Sequence, residues 1–304
     1  MTDKADNAVT AIKGFDRNLQ CRGYQFKPGR THTHRGQVVL CESGFHAIEG
    51  NPFEVFKYYG PGVSRYFRVH LSGDLARSDD GGEIAGRVIQ LAEDEMTIAE
   101  IIADGFYWLV KNSPSTFSIR SDRRAAATTG GETVVTAWGD WSAAVATCCP
   151  GAAEAMGRQS AAVATGDESF AIAGSSQSVA VATGDQSGTK AMRNRSAAVA
   201  TGDQSATIAS GTQSAAVVVG YQSAAIATGD RSIAVAAGEQ SSATASSATS
   251  CAVACGLQGT VDGVDGAAIC AVERDRMGRI VSVASGIVGR DGIRPKVRYR
   301  CVGG

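Results

Sequence analysis

Five residues toward the N-terminal end, Cys21, His32, His34, Cys41 and His46, carry side chains that bind transition metals, and His32 and His34 would share one face of an extended segment. Their spacing matches no standard Cys/His zinc pattern, so no metal is expected. Cys41 and His46 could act as nucleophile and base, but no third group that would orient the histidine is evident. The stretch "CESGFHA" (41–47) therefore reads as a turn and a strand end. Farther along, Asp167, Asp185 and Asp203 recur at a fixed interval, as calcium ligands or a mimic of a nucleic-acid backbone would. The surrounding "ATGDQSA" lacks the Gly-Gly-x-Gly-x-Asp pattern of calcium-binding nonapeptides, and the repeats around it are close to neutral. These aspartates read as solvated turn residues.

Whatever these side chains do depends on the elements that hold them. The chain has 304 residues and a formal net charge of -1, which gives no reason to expect nucleic acid or an anionic membrane as partner. The opening "MTDKADNAVTAIKGF" has no apolar signal core and no long apolar run follows, so a cytoplasmic protein with reduced cysteines is expected. Composition changes once, near Asn112–Arg124, where Pro114 and polar residues suggest a boundary. Before it "QVVLC" (37–41), "RYFRVHL" (65–71) and "RVIQLA" (87–92) read as strands, and Pro52–Tyr59 as a short helix. A second helix should start at Thr97, which forms a capping box with Glu100 and places Ile101, Ile102, Phe106, Leu109 and Val110 on one face.

Beyond the boundary, serine returns at every ninth position, including Ser142, Ser160, Ser169, Ser178, Ser187, Ser196, Ser205, Ser214, Ser223, Ser232, Ser241 and Ser250. A register that never slips, with β-branched residues at the fourth place and glycine at the seventh, predicts stacked coils of strand and turn. Valine at the fourth place recurs only in alternate repeats, at Val145, Val163, Val181, Val199, Val217, Val235 and Val253, so one coil should hold two nonapeptides, one on each of two parallel sheets. The corners are expected at "TGD", with glycine supplying backbone freedom. Glu154 and Lys190 also occupy the fourth place, and charges do not enter a narrow core unpaired, so odd positions should face in and even positions out. The competing register puts the valines inside. With odd positions inward, Val163, Val181, Val199, Val217, Val235 and Val253, flanked by Val179 and Ile233, form an exposed apolar band. A patch of that kind calls for cover, by a second copy in a homodimer, by a trimer, or by the chain's own terminal domains.

The run Lys13–Asp74, with "KGF", "CRGYQF" and "CESGFHA", resembles an uncharacterised family found largely in phages and prophages, in which this module precedes Ser/Ala/Gly-rich nonapeptides. The repeats are faintly similar to the heads of trimeric autotransporter adhesins. The order of strand, Arg-Gly pair, "SGFHA", helix and strand is also similar to ADP-ribosyltransferase folds, which implies NAD as cofactor and Lys13, Arg22, Ser43 and His46 as catalytic candidates. The expected organisation is a flexible 1–11, an α+β module at 12–123, a parallel β-solenoid at 124–271 with two nonapeptides per eighteen-residue coil, and a β-rich cap at 272–304, built from strands around a turn at 290–292. The expected role is non-enzymatic and needs no cofactor. The solenoid would self-associate and present the module to a host protein, as an inhibitor of defence or regulation; the NAD-using enzyme is the alternative.

Overall fold

A computed structural model describes residues 8–79, 81–112, 115–129, 133–147 and 149–303. Residues 1–7 of the expected flexible terminus, Pro114 and Cys148 lie outside the described residues. The chain divides into two compact units, Met1–Trp108 and Leu109–Gly304.

The first unit is a small closed sheet. Its strands are β1 (Val9–Phe15), the short pair β2 (Gln20–Cys21) and β3 (Tyr24–Gln25), β4 (Thr31–Thr33) and β5 (Phe45–Ile48), followed by helix α1 (Glu54–Tyr58), β6 (Arg65–Arg77), β7 (Glu83–Leu91) and helix α2 (Ile98–Asn112). The main sheet runs β4-β7-β5-β1-β6, and β6 also pairs with β7, which closes a ring of β7, β5, β1 and β6. Alternation drives the closure: Phe67, Val69 and Leu71 of β6 and Ile89 and Leu91 of β7 turn inward with Phe15, Phe26 and Phe45. The capping box forms as expected, the Glu100 amide donating to Thr97 Oγ1 while the Thr97 amide and hydroxyl donate to the Glu100 carboxylate. Those bonds hold the Glu100 carboxyl below its ordinary value. Two expectations fail here. "QVVLC" is not a strand, because Val39 and Ser43 bridge each other across a tight turn in which Cys41 has φ 65°. Val110 leaves the apolar face of α2 and is exposed.

The second unit is the parallel solenoid. One sheet has nine strands; the other has ten, the last of them antiparallel. Up to Cys251–Ala254 neighbouring strands are eighteen residues apart and pair without slippage, so Val145, Val163, Val181, Val199, Val217, Val235 and Val253 stand in one row; the next rung, at Ala268, comes after seventeen. Stacking begins with Ser115–Ile119, which pairs with Thr133–Ala137, so the first rung lies within the stretch where the composition changes. At the far end, Ala268–Arg274 adds the last parallel rung and Ile280–Ile287 folds back against it. The turn at 290–292 follows that strand; beyond it the Lys296 amide donates to the Gly263 carbonyl and Tyr299 bridges Val261. No described helix is long and apolar enough to cross a membrane.

Odd positions face the interior. The alanines at the third and fifth places, such as Ala162, Ala164, Ala180 and Ala182, are fully buried and form the core with their counterparts from the opposite sheet. Every repeat serine named above is buried as well, and along most of the row its hydroxyl is used twice. The Ser187 amide donates to Ser205 Oγ at 3.2 Å, and Ser205 Oγ donates to the Gly184 carbonyl at 3.3 Å. The same pair of bonds recurs at Ser160, Ser178, Ser196, Ser214 and Ser223, so a ladder of hydroxyls ties each corner to the one before it. This is why the residue must be small, polar and strictly periodic.

The corners differ from expectation in one respect. The left-handed residue is the ninth, not only the glycine: Gln186 and Gln204 have φ 57° and 56°, and their amides donate to the Asp203 and Tyr221 carbonyls of the next coil at 2.8 and 2.7 Å. Those bonds offset a conformation that costs a non-glycine residue about 1 kcal/mol. The aspartates likewise do structural work, since the Asp203 amide donates to Asp185 Oδ1 at 2.8 Å. One polar group sits less well. Thr189 and Thr207 pair across adjacent coils inside the core, and among the described residues neither hydroxyl has a partner. Thr207→Val should raise stability by about 1 kcal/mol, because it removes an unsatisfied hydroxyl at constant shape; equilibrium urea unfolding would measure it.

The two outer faces are unlike. On the nine-stranded sheet the outward residues Phe170, Ile172, Ala206 and Ile208 are buried, and burial pushes the outward Glu154 carboxyl up. On the ten-stranded sheet the valine row is only half-buried, while Val179 and Ile233 are 40% and 37% exposed.

Candidate functional site

The first unit contains a pocket of about 520 Å³. All four candidates carried by the resemblance, Lys13, Arg22, Ser43 and His46, line it, together with Cys21 and Cys41. Lys13 reaches it from the middle of β1, where inward-facing strand positions point at the core. It is only 4% exposed, donates to the His46 carbonyl at 2.6 Å and lies 3.6 Å from Cys21 Sγ. Burial lowers its pKa, an effect that Cys21 partly opposes and the Arg22 charge reinforces. Its Nζ also lies 5.5 Å and 5.7 Å from the centres of the Phe15 and Phe26 rings, which give a partial electrostatic welcome to a cation.

Arg22 sits in the tight β2–β3 turn with φ 49° and donates to the Cys41 carbonyl at 3.1 Å. His46, on β5, is lowered first by burial and then by the charges of Lys13 and Arg22. Its Nε2 is buried and has no partner among the described residues. Ser43 is occupied elsewhere, its hydroxyl donating to the Gln37 carbonyl at 2.7 Å. His32 is not part of the pocket lining and instead pairs with the Tyr24 hydroxyl at 3.1 Å. Among the described residues no three His, Cys, Asp or Glu side chains converge as metal ligands.

Several pocket residues were not anticipated. Tyr59 donates to Cys21 Sγ at 2.8 Å, and burial raises its pKa. Glu83 closes the opposite wall, accepting from the Tyr58 hydroxyl and, at 3.7 Å, from the Cys41 thiol. The available signal was Gly14 of "KGF": a Cβ there would fall 2.4 Å from the Tyr59 ring, so the glycine exists to let that tyrosine lie against β1.

The lowered His46 has a measurable consequence. As pH falls below 6.5 the unfolded chain takes up the proton before the folded one does, so this group's stabilising contribution is present above that value and lost as pH falls through the lower folded value. The urea midpoint should therefore drop between about pH 7.5 and about pH 5, and the drop should shrink in His46→Gln.

The comparisons with known proteins fall on this unit. Residues 9–104 match the model of a family described as Domain of unknown function (DUF7666). Every pocket residue lies within the DUF7666 match, which ends inside α2 and leaves the solenoid outside it. No curated protein and no solved structure matches the chain.

The second candidate surface is the valine face. Each predicted interface residue, Val163, Val181, Val199, Val217, Val235, Val253, Val179 and Ile233, is on the outer side of the ten-stranded sheet, and none is buried within the chain.

Proposed function

We propose that this protein is a non-enzymatic scaffold whose solenoid pairs with a second copy through the valine face and holds the DUF7666 module for binding another macromolecule. The supporting observation is the contrast between the two outer faces: on the nine-stranded sheet the second-place row, with Phe170 and Ala206, is buried, and on the ten-stranded sheet that row includes the exposed Val179 and Ile233 beside an in-register valine row left half open. Nine parallel strands at about 4.8 Å spacing, each about five residues long, present roughly 600 Å² per copy, or about 1,200 Å² for a pair. That reaches the lower end of the range for a stable interface. A second copy is a suitable occupant because its rungs have the same spacing, so two such faces mesh row against row under a two-fold axis. In this reading the partner of the module is a host macromolecule in the cytoplasm, in keeping with the resemblance of Lys13–Asp74 to phage and prophage proteins.

Light scattering on the eluting protein tests the pairing. The expected mass is twice 31.3 kDa, falling to one copy in the double variant Val199→Lys, Val217→Lys with an unchanged circular dichroism spectrum. Both lysines project outward and cannot be buried unpaired against an identical charge. A single-copy mass for the unmodified chain at micromolar concentration would remove the proposal.

A further inference from the structure

The pocket of the first unit combines features that a purely structural cavity lacks. Lys13 and Arg22 both face it, and among the described residues neither forms an ion pair with a carboxylate. The Lys13 ammonium is nearly removed from water, and its hydrogen-bond partners among the described residues are a carbonyl and a sulfur, beside the Phe15 and Phe26 rings. Such a cation is costly to bury without a counter-charge. Close by, His46 Nε2 is buried and has no hydrogen-bond partner among the described residues. The remaining wall includes Tyr24, a partly exposed ring stacked edge-on against Phe26 and Phe45.

We propose that this pocket binds a small aromatic phosphomonoester, its anionic oxygens held by Lys13 and Arg22, its P–OH donated to His46 Nε2 and its ring lying against Tyr24. A carboxylate satisfies the cations but has no proton for Nε2; the phosphate monoanion has both. Arg22 adds a planar donor pair at the rim suited to two phosphate oxygens. The site is independent of self-association, so it stands or falls separately from the scaffold reading.

The test uses the full chain and three probes: phenyl phosphate, benzoate and benzyl alcohol, titrated by calorimetry and by ligand-observed NMR. Phenyl phosphate should bind about tenfold more tightly than benzoate, and benzyl alcohol should not bind measurably. Arg22→Gln, at an exposed position, should weaken phenyl phosphate about tenfold with the fold intact; Lys13→Met should do the same, and His46→Ala should abolish the preference over benzoate. Equal binding of the three probes, no binding of phenyl phosphate at millimolar concentration, or affinity unchanged in Arg22→Gln and Lys13→Met would each overturn the assignment.

Discussion

Gly238→Ala should destabilise the solenoid by about 3 kcal/mol or more, among the largest effects of any single methyl in this chain. A Cβ at Gly238 would lie 1.7 Å from the Gly220 carbonyl oxygen of the preceding coil. Neither atom belongs to a side chain that can rotate away, and both corners are fixed by the serine ladder: Ser241 Oγ donates to that same Gly220 carbonyl at 2.7 Å. Relief requires two coils to separate, which breaks pairing on both sheets. The loss should appear as a lower urea midpoint and a lower melting temperature, with Thr201→Ala, at an exposed outward position, as a control within about 0.5 kcal/mol of the parent. Near-parental stability for Gly238→Ala would mean that the corners do not approach as closely as described.

Ser205→Ala should cost about 2–4 kcal/mol, more than is usual for removing one hydroxyl. The Ser205 oxygen accepts from the Ser187 amide and donates to the Gly184 carbonyl, so its removal strands one donor and one acceptor in a dry interior. Each stranded group carries a penalty of about 1–3 kcal/mol, and the alanine-lined space leaves little room for water to replace the hydroxyl. The measurement is again equilibrium unfolding, with hydrogen exchange at the Ser187 amide as a local readout. If that amide keeps its protection in Ser205→Ala, the ladder is incidental to stability.

The solenoid was legible because its period is rigid. Serine in register at the first position and charge at Glu154 and Lys190 in the fourth position decide which residues face inward, through elementary costs of burying charge. The corner was read only in part. Glycine at the seventh position suggested backbone freedom, which Gly184 uses with φ 131°, but elsewhere the glycine is there for clearance against the coil before it, as Gly238 shows. Nothing in the chemistry of glutamine announces that the ninth residue is left-handed, because the compensating bond comes from a neighbour eighteen residues away. The burial of Phe170 and Ile208 was hidden for a similar reason, since outward positions carry no signal of what covers them.

In the first unit, the alternation of "RYFRVHL" and the Thr97–Glu100 box were local and came through. The pocket was not local. Lys13, Cys21, His46, Tyr59 and Glu83 come from five separate elements or turns and meet only when β1 and β7 both pair with β5. "QVVLC" misled because three apolar residues in a row favour a strand until a left-handed Cys41 and the Val39–Ser43 bridge turn the chain back.

A stack of parallel rungs offers, at its last rung, the same open hydrogen-bonding edge that it offered at every earlier one, and identical molecules could in principle continue one another end to end. Here Ile280–Ile287 runs against the polarity of the rung it covers, with an irregularity at Glu273 and Arg274, and Tyr299 occupies the corresponding place on Val261. The winding cannot resume from a strand of opposite sense. The reversal thus fixes a finite rod, and deleting residues 275–304 would expose a templating edge and favour fibre growth.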